Sequence, residues 1–168
     1  MPEHLAPDVI TPYIRNVKRL DECASNALML RRDHDRVDMA DLDDIYNTRI
    51  IELAGALTRG SRLSAPDASA SAHSKMCGSN VAVDLKVSGG RVSDYGQTVK
   101  ACLLGQAAAS VMAREIVGST PAELHEVAAQ MRRMLKEDGR PPNGRWADLG
   151  VLEPVRNYKA RHASTLLI

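Results

Sequence analysis

The sequence contains no phenylalanine, and aromatic residues make up only 3% of its 168 residues. A hydrophobic core must therefore be built from Leu, Val, Ile, Ala and Met, and an aromatic surface for stacking single-stranded bases is not expected. The charges nearly cancel, with 22 Lys and Arg against 21 Asp and Glu. The net charge therefore gives no reason to expect nucleic acid or an anionic membrane as a partner.

Cysteines are few, and long apolar runs are absent. The three cysteines, Cys23, Cys77 and Cys102, form an odd and sparse set, which argues against a secreted disulfide framework and fits a reducing compartment. No apolar run approaches 18 residues, so no membrane-spanning helix is predicted. The first residues include early acids and no apolar segment, which is not the pattern of a signal or transit peptide. The expected location is the cytoplasm.

The chain divides near Met39. Residues 1–38 end in the charged stretch RRDHDRVD, and they are predicted to be an N-terminal extension or linker to which no function is assigned. Residues 39–168 are long enough for one compact domain with its own core.

The middle of the domain has the pattern of a β-hairpin. VAVDLKV (81–87) alternates apolar with other residues, as a strand with one buried face does, and Ser88-Gly89-Gly90 predicts the turn. In the return stretch RVSDYGQTVKA (91–101), Val92 is out of phase with the later apolar positions, which predicts a β-bulge. The Ser-, Ala-, Gly- and Pro-rich residues 58–76 predict a long loop.

Helical patterns surround this hairpin. Asp41 is the predicted N-cap of a first helix, and Cys102 opens an Ala-rich stretch that ends at Gly118. Thr120 and Glu123 form a predicted capping box for a third helix, and residues 154–168 form a last one. The predicted fold class is α+β, with a small antiparallel sheet (the hairpin plus a third strand) and helices packed on one face.

The hairpin predicts that Cys77 and Cys102 are neighbours. Cys77 precedes the first strand and Cys102 follows the second, so both thiols are expected at one end of the sheet. Cys102 also lies at a helix N-terminus, where unpaired N–H groups favour a thiolate. Two alternatives stay open at this point: each cysteine is a small buried hydrophobe, or the pair forms a reactive or metal-binding site.

Three stretches resemble a known family. HSKMCGS (73–79), KACLLGQAAASVM (100–112) and RHASTL (161–166) are similar to the NifU/IscU/SufU-like iron–sulfur cluster assembly scaffold proteins, and the resemblance covers residues 41–168. In that family a Cys-Gly-Asp motif precedes the sheet, a second cysteine follows the return strand, and a third lies on the C-terminal helix.

The resemblance implies a ligand set that departs from the family pattern. Cys77 and Cys102 match the first two cysteine ligands, but Ser79 stands where the family has aspartate, and Ala163 stands where it has the third cysteine. His162 is then the candidate ligand on the last helix, although an exposed surface histidine is the alternative. That helix is also expected to be shorter than in the family.

The function implied by the resemblance is that of a non-enzymatic scaffold. Such a protein accepts sulfur from a cysteine desulfurase, binds iron, and hands a labile [2Fe–2S] cluster to recipient apo-proteins or carriers. Soft thiolates suit iron–sulfur clusters and zinc alike. The alternatives are therefore a zinc-binding persulfide relay that uses Cys77, Cys102 and His162 with Ser79, or a degenerate member that acts only as a binding module.

Overall fold

The computed structural model describes residues 46–57, 61–75 and 77–168. Along the chain these residues form the helix α1 (Thr48–Gly55), three strands, and a helical C-terminal half. The strands are β1 (Ala68–His73), β2 (Asn80–Ser88) and β3 (Arg91–Lys100). They are followed by α2 (Leu103–Glu115), α3 (Pro121–Lys136), a 3₁₀ segment (Gly144–Asn157) and α4 (Lys159–Thr165). The predicted extension 1–38, with His4, Cys23 and His34, lies outside the described residues.

The sheet is antiparallel, with the strand order β1-β2-β3. Gly89 and Gly90, both with positive φ, form the turn between β2 and β3. Lys86 pairs with Asp94 while Val87 pairs with Val92, so Ser93 is the extra residue of a bulge in β3. The α+β class, the hairpin and its bulge are therefore confirmed.

The third strand lies inside the stretch predicted as a long loop. β1 has the sequence ASASAH, and it pairs with β2 from Ala68 opposite Leu85 to His73 opposite Asn80. Its residues are only alternately half-buried. The loop prediction for 58–76 was wrong over these six residues, because alanine and serine give no apolar alternation for a strand to be detected by.

Helix α2 is at the centre of the core. Its buried positions include Leu104, Ala107, Ala108 and Val111, which recur at helical spacing on one face, and its small residues allow neighbouring elements to approach closely. α1 packs on α2 through Ile50, Leu53 and Ala54. Asp41, the predicted N-cap, lies outside the described residues. The described helix begins at Thr48, because Tyr46 and Asn47 are not helical and Asn47 caps it by accepting a hydrogen bond from the Ile50 N–H at 3.0 Å.

Helix α3 has the predicted cap and packs with the 3₁₀ segment. The Thr120 hydroxyl accepts a hydrogen bond from the Glu123 N–H at 3.2 Å, and Pro121 is the first helical residue. The Glu123 carboxylate accepts a hydrogen bond from Trp146 Nε1 at 2.9 Å, which ties the 3₁₀ segment to α3. Residues 154–157, predicted as the start of the last helix, belong instead to the 3₁₀ segment.

A chain segment covers part of the sheet face opposite the helices. Leu85 contacts the helical core, so Asp84 beside it points to the other face. There the buried Asp84 carboxylate accepts hydrogen bonds from the Arg62 guanidinium, the Leu63 N–H and the Ser69 hydroxyl. Arg62 and Ser69 hold the pKa of Asp84 far below its usual range, and the Leu63 N–H adds to this shift.

Within the described part of the chain, no helix combines the length and the apolar character that crossing a membrane requires.

Candidate functional site

Cys77 lies in a closed loop between β1 and β2. The Ser74 N–H donates to the Ser79 carbonyl at 2.8 Å, and the Gly78 N–H donates to the Ser74 carbonyl at 2.9 Å. Gly78 has φ of 68°, a left-handed conformation that glycine adopts without steric cost. These bonds close the loop, and the Cys77 residue between them is exposed.

Three serines surround the sulfur of Cys77. Ser79 Oγ lies 2.9 Å from Cys77 Sγ, and the hydroxyls of Ser74 and Ser164 also act on the sulfur. Burial raises the pKa of Cys77, but the hydroxyls of Ser74 and Ser79, the Ser79 N–H and the Ser164 hydroxyl together lower it below its ordinary value. The thiol is therefore placed among groups that favour its thiolate, the form that binds metals and attacks sulfur.

Cys102 lies at the same end of the sheet. It is the N-cap residue of α2, two positions after the end of β3, and it is half-buried. Lys100, the last residue of β3, pairs with Asn80, the first residue of β2. The chain therefore enters β2 from Cys77 and leaves β3 toward Cys102 at one rim of the sheet, as the hairpin predicts.

Helix α4 links the Cys77 loop to the first turn of α2. Ser164 is 1% exposed and reaches Cys77, and its carbonyl oxygen lies only 3.1 Å from the position that a Cβ on Gly105 would occupy. Glycine at position 105 therefore allows α4 to lie directly against α2, close to Cys102. Neither Ser164 nor Gly105 was predicted as part of the site.

His162 has partners that differ from those predicted for it. The residue is buried, and its Nε2 lies 3.1 Å from the carbonyl oxygens of both Val155 and Arg156. Because both partners are acceptors, Nε2 carries the hydrogen and donates to them. His162 and Ser164 are separated by about 200° around the helix, so the ring is directed to the 3₁₀ segment while Ser164 reaches Cys77.

The described residues contain no group of three or more His, Cys, Asp or Glu side chains arranged to hold a metal ion. Cys77, Cys102 and Ser79 lie at one rim, whereas His162 is engaged elsewhere and the half-buried Ala163 offers no donor atom. A ligand set of Cys77, Cys102, His162 and Ser79 stays a prediction. A closed tetrahedral zinc site needs four donors, and the side chains as arranged do not fit that requirement.

Three other ionisable residues near the site are peripheral. His73 is the exposed last residue of β1. Lys100 is the exposed last residue of β3. Arg161 is half-buried, and its carbonyl accepts hydrogen bonds from the hydroxyls of Ser164 and Thr165 at 2.9 Å each. Through this carbonyl, Arg161 contributes to the position of Ser164.

Comparison with solved structures finds a similar protein that matches most of the chain. The crystal structure of a nitrogen-fixing NifU-like protein (N-terminal) from Brucella abortus is 57% identical, with a TM-score of 0.74. The match covers 76% of this chain and 88% of that one.

A more distant structure shares the fold alone. A protein from Fervidobacterium islandicum, described as an iron–sulfur cluster assembly scaffold for the SUF system, superposes with a TM-score of 0.68 at 20% identity. That match covers 74% of this chain and 91% of that one.

Among curated proteins, the iron–sulfur cluster assembly scaffold protein IscU of Thermotoga maritima is 27% identical over 85 residues. The matched stretch spans 51% of this chain and 59% of that protein. No family model matches the sequence.

Proposed function

Because the chain belongs to the NifU/IscU/SufU-like family of iron–sulfur cluster assembly scaffold proteins, we propose that it builds a labile [2Fe–2S] cluster at the rim that carries Cys77 and Cys102. A cysteine desulfurase delivers the sulfur to one of the two thiols. The finished cluster is transferred to a recipient apo-protein or carrier. The proposed location is the cytoplasm, where thiols stay reduced.

The observation that carries this proposal is the 57% identity to the NifU-like structure over 88% of its length. The geometry supports it, because the sheet register brings both cysteines of the domain to one rim and leaves Cys77 exposed. An exposed thiolate can meet a sulfur donor and a cluster recipient without a large rearrangement of the core.

The sparse donor set suits a scaffold that releases its cargo. Thiolates are the preferred ligands of iron–sulfur clusters, and a cluster of this type is usually held by four cysteines. Cys77 and Cys102 supply two of these, and serine hydroxyls at the rim are weaker donors. Weak holding favours transfer of the cluster to a protein with a complete ligand set.

A persulfide relay is the second candidate function. The serine hydroxyls around Cys77 favour this function. They lower the pKa of its thiol, and Cys77 is exposed to a sulfur donor. A relay of this kind passes sulfur on without building a cluster. The zinc that was predicted with it has less support, because the described side chains do not form a closed set of ligands.

Anaerobic reconstitution tests the proposed function. The reduced 168-residue chain is incubated with ferrous iron and inorganic sulfide, desalted, and assayed for iron, acid-labile sulfide, zinc and visible absorption. We expect iron and labile sulfide in equal amounts in the wild type, and a large loss of both in Cys77→Ser and Cys102→Ser. Cys23→Ser is the matched control, because the same change is made at a cysteine outside the predicted domain.

The other outcomes separate the alternatives. Tightly bound zinc without labile sulfide supports the relay, and the absence of both metals supports a binding module. Normal cluster formation in Cys102→Ser would contradict the assignment of the rim as the cluster site.

A further inference from the structure

The Cys77 loop contains a buried hydroxyl group without a hydrogen-bond partner. Ser74 is 5% exposed, and within the described residues its Oγ makes no hydrogen bond of acceptable geometry. Buried polar atoms in folded proteins almost always have a partner, so a buried hydroxyl without one in the fold is available to bind a further group. This hydroxyl lowers the pKa of the Cys77 thiol, so it lies close to the sulfur.

The other polar groups around the sulfur are already engaged. Ser79 Oγ lies 2.9 Å from Cys77 Sγ, and the Ser79 N–H also acts on that sulfur. The Ser164 hydroxyl donates its hydrogen to the Arg161 carbonyl at 2.9 Å. Ser74 is therefore the one of the three serines whose hydroxyl acts on the sulfur and makes no hydrogen bond of good geometry among the described residues.

We propose that the Ser74 hydroxyl binds the outer sulfur of a persulfide formed on Cys77, and that it thereby makes Cys77, rather than Cys102, the residue that accepts sulfur. This inference rests on the proposed function and names the accepting residue. An S–S bond is about 2.05 Å long, so the outer sulfur stays within reach of the side chains that surround Sγ. Ser79 holds the inner sulfur, and Ser74 supplies a hydrogen bond to the outer one.

The transfer step balances without an oxidant. The Cys77 thiolate attacks the outer sulfur of a donor persulfide or polysulfide, and the new S–S bond forms at Cys77. The S–S bond of the donor breaks, and its electron pair leaves with the donor's thiolate or shortened polysulfide. The outer sulfur of the product releases its proton to water, and the negative charge is then on the atom that the Ser74 hydroxyl stabilises.

Cys102 has a different environment. It caps α2 without a side-chain hydrogen bond at that position, and it is less exposed than Cys77. A persulfide on Cys102 therefore lacks the serine contacts that are present at Cys77.

Sulfur loading with inorganic polysulfide tests this inference. The reduced full chain is treated anaerobically, desalted and alkylated, and the persulfide on each cysteine is quantified by peptide mass spectrometry. We expect the wild type to carry several times more persulfide on Cys77 than on Cys102. In Ser74→Ala the Cys77 persulfide should fall about tenfold or more, the effect of one hydrogen bond to a charged group, while the Cys102 signal stays constant.

Two variants and one rate serve as controls. Ser71→Ala makes the same change at an exposed position of β1 and should match the wild type, and Ser74→Thr retains the hydroxyl and should retain the persulfide. The alkylation rate of the reduced Cys77 thiol should fall much less than the persulfide does in Ser74→Ala, because Ser74 is one of several groups that favour the thiolate but is the group placed for the outer sulfur. An unchanged ratio of Cys77 to Cys102 persulfide in Ser74→Ala, or an equal fall in the alkylation rate, would overturn the inference.

The two proposals fail separately. Reconstitution from ferrous iron and inorganic sulfide needs no persulfide, so in Ser74→Ala the cluster yield should fall much less than the Cys77 persulfide does. If the wild type forms no cluster, the scaffold function is wrong whatever the persulfide measurement gives. If the cluster forms and the persulfide ratio does not respond to Ser74, the inference alone is wrong.

Discussion

The Nε2 of His162 lies 3.1 Å from the carbonyl oxygen of Val155, a buried residue near the end of the 3₁₀ segment. The same nitrogen lies 3.1 Å from the carbonyl oxygen of Arg156. The last carbonyls of a helical segment have no partner within the segment. The Val155 carbonyl also accepts the Tyr158 N–H at 2.9 Å. The imidazole adds a donor at both carbonyls and fixes α4 against the element that precedes it.

Replacing His162 should therefore destabilise the fold. We expect His162→Ala to lower the free energy of unfolding by about 1–3 kcal/mol, because it removes a buried ring and the donor that this ring supplies to two carbonyl oxygens. Urea denaturation followed by circular dichroism measures this change. His73→Ala is the matched control, since His73 is exposed at the end of β1, and it should change stability by less than about 0.5 kcal/mol. Equal stabilities of His162→Ala and the wild type would contradict a positioning role for this ring.

The contacts of Asp84 predict an acid-sensitive fold. The pKa of Asp84 is lower in the folded chain than its usual value, mainly because of Arg62 and Ser69, so the folded state binds fewer protons than the unfolded state. The resulting stabilisation is complete above the unfolded pKa of about 3.9, and it is lost as the pH falls below that value toward the folded pKa. Denaturation of the wild type at pH 6 and at about pH 3 should show this loss.

Asp84→Asn tests whether Asp84 causes this pH dependence of stability, which is called the slope below. We expect the variant to melt at a lower temperature than the wild type at pH 6 and to show a smaller change between the two pH values. Asp94→Asn removes an exposed carboxylate on β3 and should keep the wild-type slope. A slope that is unaffected by Asp84→Asn would show that other carboxylates cause the acid sensitivity.

Gly96 has no side chain, and this allows residues 61–63 to lie directly against the sheet. A Cβ at position 96 would lie 2.7 Å from the Ser61 carbonyl oxygen and 3.0 Å from the Leu63 nitrogen, both of which are backbone atoms. We expect Gly96→Ala to destabilise the chain by about 1–3 kcal/mol through overpacking, measured by thermal melting. Gly55→Ala is a suitable comparison, because a Cβ at position 55 meets no atom within 4 Å. A variant at position 96 that melts like the wild type would contradict this close approach.

The sequence predicted the elements whose signals are local. The hairpin, its bulge and the cap at Thr120 depend on residues within a few positions of one another, and the structure confirms each of them. β1 was missed because ASASAH has no apolar alternation, and its place depends on pairing with β2. The start of the helix at Thr48 was also not predicted. Asp41 and Asn47 are both acceptable N-cap residues, and the local sequence does not decide between them.

The candidate site was predictable only in part. The hairpin register brings Cys77 and Cys102 to one rim, and this follows from strand order alone. The contact of Ser164 with Cys77 depends on how α4 packs on Gly105, and no local pattern indicates that packing. The family resemblance directed attention to His162, whereas on this helix it is Ser164 that reaches Cys77.

Ala163 offers a gain-of-function test of the cluster site. It is half-buried and directly precedes Ser164, which reaches Cys77, and it stands where the resembling family has its third cysteine. We expect Ala163→Cys to slow the loss of a reconstituted cluster to an iron chelator several-fold, because a third thiolate strengthens the soft ligand set. The measurement is the decay of visible absorption after the chelator is added.

The control places the same thiol elsewhere on α4. Ala160 is exposed near the start of the helix, so Ala160→Cys adds a cysteine without adding a ligand at the rim, and its cluster should decay at the wild-type rate. Equal decay in all three proteins would mean that position 163 does not face the cluster. The rim of Cys77 and Cys102 would then have to be completed by a donor other than α4.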